Sequence, residues 1–170
     1  MKKIICASLV LLCACNHATQ QKGLVYYNDF ESTKGWIDLN LSKKVSHSGM
    51  YSNKFDSTHT FGITFKQLFK QISDDKIVKV KISYWVFLTE KAQGKLVMEI
   101  KKPDNSSAMW TARDLKTLAH KEGEWRKVET DFTFNDSINK PENTLAIYPW
   151  NVGKGDFYID DLKLEFILGY

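Results

Sequence analysis

The sequence predicts an all-β domain, two antiparallel sheets packed as a sandwich. Three observations carry that prediction. Val, Ile, Thr and aromatic residues are dense from residue 24 onward and alternate with polar residues. Turn-forming clusters recur between these runs at "HSG", "AQG", "PDNSS", "EGEW", "NKPEN" and "VGKGD". Only "TARDLKTLAHKE" has room for a short helical turn, and it reads as a long loop. Short strands separated by polar turns bury one face of each strand and leave the other face available for function.

The elements follow in chain order. "LVYYNDF" opens the domain, and "GMYSNKFD" and "TFGITFKQLF" read as two more strands. "KIVKVKISYWVFL" is the clearest: Val78, Val80, Ile82, Tyr84, Val86 and Leu88 share a face, with Lys79, Lys81 and Ser83 opposite. "KLVMEIKK" turns Leu96, Met98 and Ile100 inward. "WRKVETDFTF", "TLAIYPWN" and "DFYIDDLKLEF" complete the set.

The first residues read as an address. "MKK" is a positive start and "IICASLVLLCA" an apolar stretch too short for a stable membrane span. It ends in "LCAC", which resembles a bacterial lipobox. That resemblance implies a leader at 1–14, cleavage before Cys15, lipid on Cys15, a tether at 15–23 and one domain at 24–170. Asn16 after the cysteine resembles an outer-membrane sorting signal, so the bacterial cell envelope is the expected location. Cys6 and Cys13 leave with the leader, so no thiol remains for a disulfide or a zinc site. Loss of Lys2 and Lys3 takes the formal net charge from +4 to +2, too balanced to predict nucleic-acid binding.

One residue conflicts with simple alternation. Tyr158, Leu162, Leu164 and Phe166 define a core face, and that register turns Asp160 inward with them. A buried carboxylate needs neutralising. A bound cation would do this; so would backbone N–H groups, a Tyr hydroxyl, or a Lys or Arg. A β-bulge would instead reverse its facing.

A second pattern concerns aromatics on outward positions. Trp85 and Phe87 follow the lysines on their strand, and Tyr148 and Trp150 alternate with inward Leu145 and Ile147. Glu99 is outward on its strand, and Trp110 lies near the long loop with Arg113 three residues on. If these strands share a sheet, Trp85, Trp110, Tyr148, Trp150, Glu99 and Arg113 line one groove. Aromatic rings there would stack on the apolar C–H faces of sugars. The alternative is that a loop covers Trp85 and Phe87.

"NDFESTKGW", "SHSGMYS", "KISYWVF", "GEWRKVETDFTF" and "FYIDDLKL" occur in an order similar to that of jelly-roll carbohydrate-binding modules of the xylan/β-glucan-binding type. These belong to the galactose-binding-domain-like superfamily. The resemblance covers most of the chain after the leader and implies a jelly roll of two antiparallel sheets. It also implies a structural calcium held by Glu31, backbone oxygens of Asp29 and around Ser48 and Gly49, and Asp160. Trp36 and Trp125 take positions that look structural in that family.

Catalysis is not expected. His17, His47, His59 and His120 show no metal spacing, and no nucleophile motif is present. Glu129 and Asp131 share an outward face roughly 7 Å apart by strand rise, a distance a glycosidase can use. The same alternation marks any half-exposed strand, and Thr133 stands where jelly-roll glucanases carry a third acid. The sequence therefore predicts a non-catalytic, lipid-anchored carbohydrate-binding protein. Its partners would be a poly- or oligosaccharide, the membrane through its lipid and glycan-processing enzymes. The alternatives are a protein-binding adhesion or assembly module, or a purely structural envelope lipoprotein.

Overall fold

The computed structural model describes residues 23–32 and 40–169. The leader, Cys15 and Trp36 lie outside the described residues, and the first strand begins at Gly23, the last residue of the expected tether.

The elements run β1 (Gly23–Asn28), β2 (Leu41–Ser42), β3 (Ser52–Phe55), β4 (Phe65–Leu68), α1 (Phe69–Ile72), β5 (Ile77–Leu88), β6 (Gly94–Lys101), β7 (Ser107–Asp114), α2 (Leu115–Ala119), β8 (Trp125–Thr133), β9 (Thr144–Asn151) and β10 (Phe157–Leu168). They form two antiparallel sheets, as the alternation predicts. The six-stranded sheet runs β2-β3-β10-β5-β8, with β1 also on β10. One flank of β10 is covered by β5. The other is shared between β3, on Phe157–Ile159, and β1, on Leu162–Ile167. The four-stranded sheet runs β4-β9-β6-β7.

The core lies between the sheets. Val80, Ile82, Tyr84, Val86 and Leu88 of β5 pack with Phe157, Ile159, Leu162, Leu164 and Phe166 of β10 on one side. Leu96, Met98, Ile100, Leu145 and Ile147 line the other. Phe55 and Phe157 stack at 4.5 Å within it.

Four expectations are corrected. Along β5, an irregularity where Leu168 pairs with Ile77 inserts one residue, so Ile77 takes the core position predicted for Val78. Only Phe65–Leu68 of "TFGITFKQLF" forms a strand; a one-turn helix follows, and Phe61 makes an isolated bridge to Trp150. Residues 107–114 form an edge strand rather than a loop, because "PDNSS" closes a hairpin onto β6, and α2 follows directly. Asp114 caps that helix by accepting the Lys116 and Thr117 N–H groups.

The fourth correction concerns Asp160. The register of β10 against β5 shifts between Asp160 and Lys163, where Asp161 takes a left-handed φ of 50°. This bulge switches the core face from Phe157 and Ile159 to Leu162, Leu164 and Phe166. Asp160 therefore points away from the core, beside Trp85, and so does Tyr158. Both are still buried, on the outer face of the sheet.

The start of β10 is tied to β3 by ions. Lys54 lies 2.8 Å from Asp56 and 3.1 Å from Asp156. The Lys54 ammonium, the Thr58 hydroxyl and the backbone N–H groups of His59 and Thr58 hold the Asp56 carboxyl far below the ordinary carboxylate range. A depressed folded value contributes stability that is complete above the unfolded carboxylate value. That contribution is lost as pH falls toward the folded one. Wild type should thus lose more melting temperature between about pH 5 and pH 2 than Asp56→Asn does. Parallel pH–melting curves would contradict this.

Candidate functional site

The outer face of the four-stranded sheet carries the exposed aromatics. In its register, Glu99 lies between Trp110 and Ala146, Val97 between Ala112 and Tyr148, and Lys95 between Asp114 and Trp150. Directly paired residues share a face, so Trp110, Tyr148, Trp150 and Glu99 are brought together as predicted. Trp110 is 49% exposed and lies near the Tyr148 phenol. Burial, aided by the Glu99 charge and opposed by the neighbouring Trp110 indole, raises the Tyr148 pKa, so the phenol stays neutral. Glu99 sits 3.6 Å from Lys101. Val97 points outward yet is fully buried, so the rings roof an apolar floor made with Ala146.

Phe61 is a member of this face that the sequence reading did not single out. It is 53% exposed. Its ring lies 5.8 Å from Trp150 with planes 7° apart, and 6.1 Å from Tyr148. The Asn151 N–H bonds the Thr60 carbonyl at 2.7 Å, which places Phe61 alongside Trp150. Gly62 permits the approach, because a Cβ there would sit 2.6 Å from the Phe55 ring. In sequence, Phe61 was hidden inside an apparent continuous strand. Its signal was the glycine after it, which breaks such a strand.

Two predicted members lie elsewhere. Trp85 belongs to the six-stranded sheet, paired with Asp160 and Lys127. Its ring is stacked at 3.7 Å on His47, which also packs edge-on with Trp125. Trp85 is therefore covered, the alternative the sequence left open. Trp125, expected to be structural, is half-buried in this outer cluster rather than in the core, and also contacts Phe87. Arg113 pairs with Leu96 and so faces the other side of its sheet. Its guanidinium donates to the Asp131 carbonyl at 2.9 Å and lies over the Phe132 ring, clasping the edges of the two sheets.

The acidic residues gather at the 46–51 loop. Asp160 Oδ2 accepts the His47 and Ser48 N–H groups at 2.8 and 3.2 Å, and its Oδ1 accepts the Asp161 N–H. Burial dominates these bonds and raises its pKa. Asp161 is only partly buried, and bonds from the Tyr27 hydroxyl, His47 and the Ser48 hydroxyl outweigh that burial and lower its pKa. Glu31 Oε1 accepts the Met50 and Tyr51 N–H groups. Gly49, at φ 55°, packs so tightly on Glu31 that a Cβ would sit 2.4 Å from its carboxylate. Asp29 accepts the Glu31 N–H with its side chain, and the Gly49 carbonyl accepts from the Ser46 hydroxyl.

For calcium, the contacts among the described residues leave Glu31 Oε2 uncommitted and Asp160 Oδ1 with a single donor. Among the described residues no group of three acidic, His or Cys side chains is placed to hold a metal. A calcium ion here would take its remaining ligands from carbonyls and water, a mixture that this hard cation accepts.

The class this architecture defines is the two-sheet antiparallel β-sandwich, a fold it shares with solved carbohydrate-binding modules. The chain is similar to the CBM22-1 xylan-binding domain of Paenibacillus barcinonensis, at 15% identity and a TM-score of 0.63, covering 88% of this chain and 99% of that one. It is also similar to the C-terminal family 22 carbohydrate-binding module of Clostridium thermocellum, at 13% identity, TM-score 0.57, and 85% and 92% coverage. A third similar structure is the xylan-binding module CBM15, at 12% identity, TM-score 0.53, and 88% and 100% coverage. No protein-family model matches the chain, and no curated protein matches it in sequence.

Proposed function

We propose that this domain binds polysaccharide without transforming it, on the outer face of the four-stranded sheet. The observation that carries the reading is the cluster of Phe61, Trp110, Tyr148 and Trp150, two of whose rings are about half exposed on a flat, rigid β scaffold. Such rings offer apolar faces to sugar C–H groups, while Glu99 and the Tyr148 hydroxyl offer hydrogen-bond partners. The fold shared with modules described as xylan-binding supports the same reading. Retardation of the protein in gels containing xylan or β-glucan, abolished in Trp150→Ala, is the expected result. Unretarded migration of wild type across a panel of neutral β-glycans would overturn it.

A non-catalytic role is supported by the two carboxylates that a glycosidase would need. Glu129 is lowered in pKa by Lys127, and Asp131 by Lys79. A general acid requires the opposite shift. The "LCAC" motif supports anchorage through lipid on Cys15 at the bacterial cell envelope, with Asn16 favouring the outer membrane. There the domain would hold glycan close to partner glycan-processing enzymes.

The reading includes a structural calcium at Glu31 and Asp160, completed by backbone oxygens of Asp29 and around Ser48 and Gly49. Chelator should then lower the melting temperature of wild type, and Asp160→Asn should melt identically with and without it. A wild-type curve that chelator leaves unmoved would exclude the ion.

A further inference from the structure

Resting on the glycan-binding reading, we infer that the ligand is an anionic polysaccharide, one carrying carboxylate or sulfate groups. The aromatic face does not end at Trp150. Lys95 is directly paired with Trp150, and two residues along, the Val152 N–H bonds the Gln93 carbonyl at 2.9 Å. Val152 and Gln93 therefore continue the outward row, about 7 Å beyond Trp150 and Lys95. They are also the near wall of an open hollow whose remaining lining is Ser57, Glu90, Lys91, Lys116, Gly153 and Lys154. The hollow thus holds three lysines against one glutamate.

Its walls are built closely. Asn151 accepts the Gly153 N–H and donates to the Gly155 carbonyl, fixing the turn that carries Lys154. Gly155 lies flush on the Lys91–Ala92 peptide, where a Cβ would come within 2.2 Å of backbone. Lys116 donates to the Glu90 carbonyl and pairs with Glu122. Lys91, Lys154 and Lys95 have no carboxylate within ion-pair distance among the described residues. On the six-stranded sheet, by contrast, three lysines are paired, Lys79–Asp131, Lys127–Glu129 and Lys163–Glu165. At the far end of the aromatic face Lys66, also without an acidic partner, lies beside Ala146 in the Glu99 row. A stacked chain running along this face would bring its substituents past Lys95 and into the basic hollow. A lysine ammonium is a point charge that accepts a carboxylate or a sulfate alike.

The test compares affinities of the whole domain for neutral arabinoxylan, glucuronoxylan and sulfated xylan. Each is measured for wild type and for the Lys91→Gln, Lys95→Gln, Lys154→Gln triple variant, at low and at high salt. Wild type should bind one or both anionic polymers about tenfold more tightly than arabinoxylan at low salt, and the advantage should fade at high salt as the charges are screened. In the triple variant the advantage should vanish, so that all three polymers bind alike. A gain on glucuronoxylan alone assigns the lysines to uronate carboxylates, and an equal gain on sulfated xylan assigns them to anionic charge in general. Equal affinity for all polymers in wild type, or an advantage that survives in the triple variant, overturns the inference. If arabinoxylan binding is still abolished by Trp150→Ala, the glycan-binding reading stands without it. No binding to any of the polymers overturns both.

Discussion

Trp150→Ala should weaken polysaccharide binding by roughly 30- to 150-fold, from about 100 Å² of ring surface covered by sugar at ~25 cal/mol/Å². Its position makes it the anchor of the face. It lies between Phe61, with a nearly parallel ring, and Lys95, and the neighbouring Asn151 is buried and hydrogen-bonded through both backbone and side chain. A ring held that firmly loses little further freedom when a sugar stacks on it. The side chain is half-buried on the outer face, outside the core cluster, so its loss should leave folding nearly intact. Titration calorimetry, with the melting temperature as a control, checks this. A variant that melts like wild type and binds as tightly would remove Trp150 from the site. Trp85→Ala gives the contrast: its ring is already occupied by His47, so glycan affinity should not change.

Phe157→Ala should destabilise the domain by about 3–5 kcal/mol, the cost of truncating an aromatic in a core. Phe157 is fully buried and stacked on Phe55, and it opens the β10 strand at the point where three strands meet. The cavity left behind has stiff walls. Gly94 of the opposite sheet packs against the ring, close enough that a Cβ there would lie 2.8 Å from it. Backbone of this kind does not collapse into a void as a flexible side chain does. Gly94 also begins the strand that carries Lys95, Val97 and Glu99, so the loss would loosen the aromatic face as well. Urea unfolding measures the change directly. A loss below about 1 kcal/mol would mean that the site repacks freely, contrary to the stiffness argued from Gly94.

Alternation made most strands legible. A strand with one buried face has to alternate, and the β5, β6, β8, β9 and β10 segments do. The strand at 107–114 was missed for the corresponding reason: it is an edge strand with no fully buried residue, and its pairing with β6 supplies what its own pattern lacks. On the aromatic face, Tyr148, Trp150 and Glu99 were legible from outward parity, whereas Trp110 and Arg113 were placed only by their nearness to the expected loop, and the strand that carries both turns Arg113 to the opposite side. Trp85 satisfied an equally good local pattern and still fell elsewhere, because parity gives a side of a strand but not the sheet to which the strand belongs.

What the residues determine by themselves is the sandwich and its lining, since burial of one strand face in two is a local rule that composition can satisfy. Which way Asp160 points was decided only in three dimensions. A single left-handed residue at Asp161 shifts the register by one, and a loop more than a hundred residues away in sequence supplies the N–H groups that cover it. The pairing of Phe61 with Trp150 was decided the same way, because contacts between segments distant in the chain depend on how sheets are ordered, and no local period encodes that order.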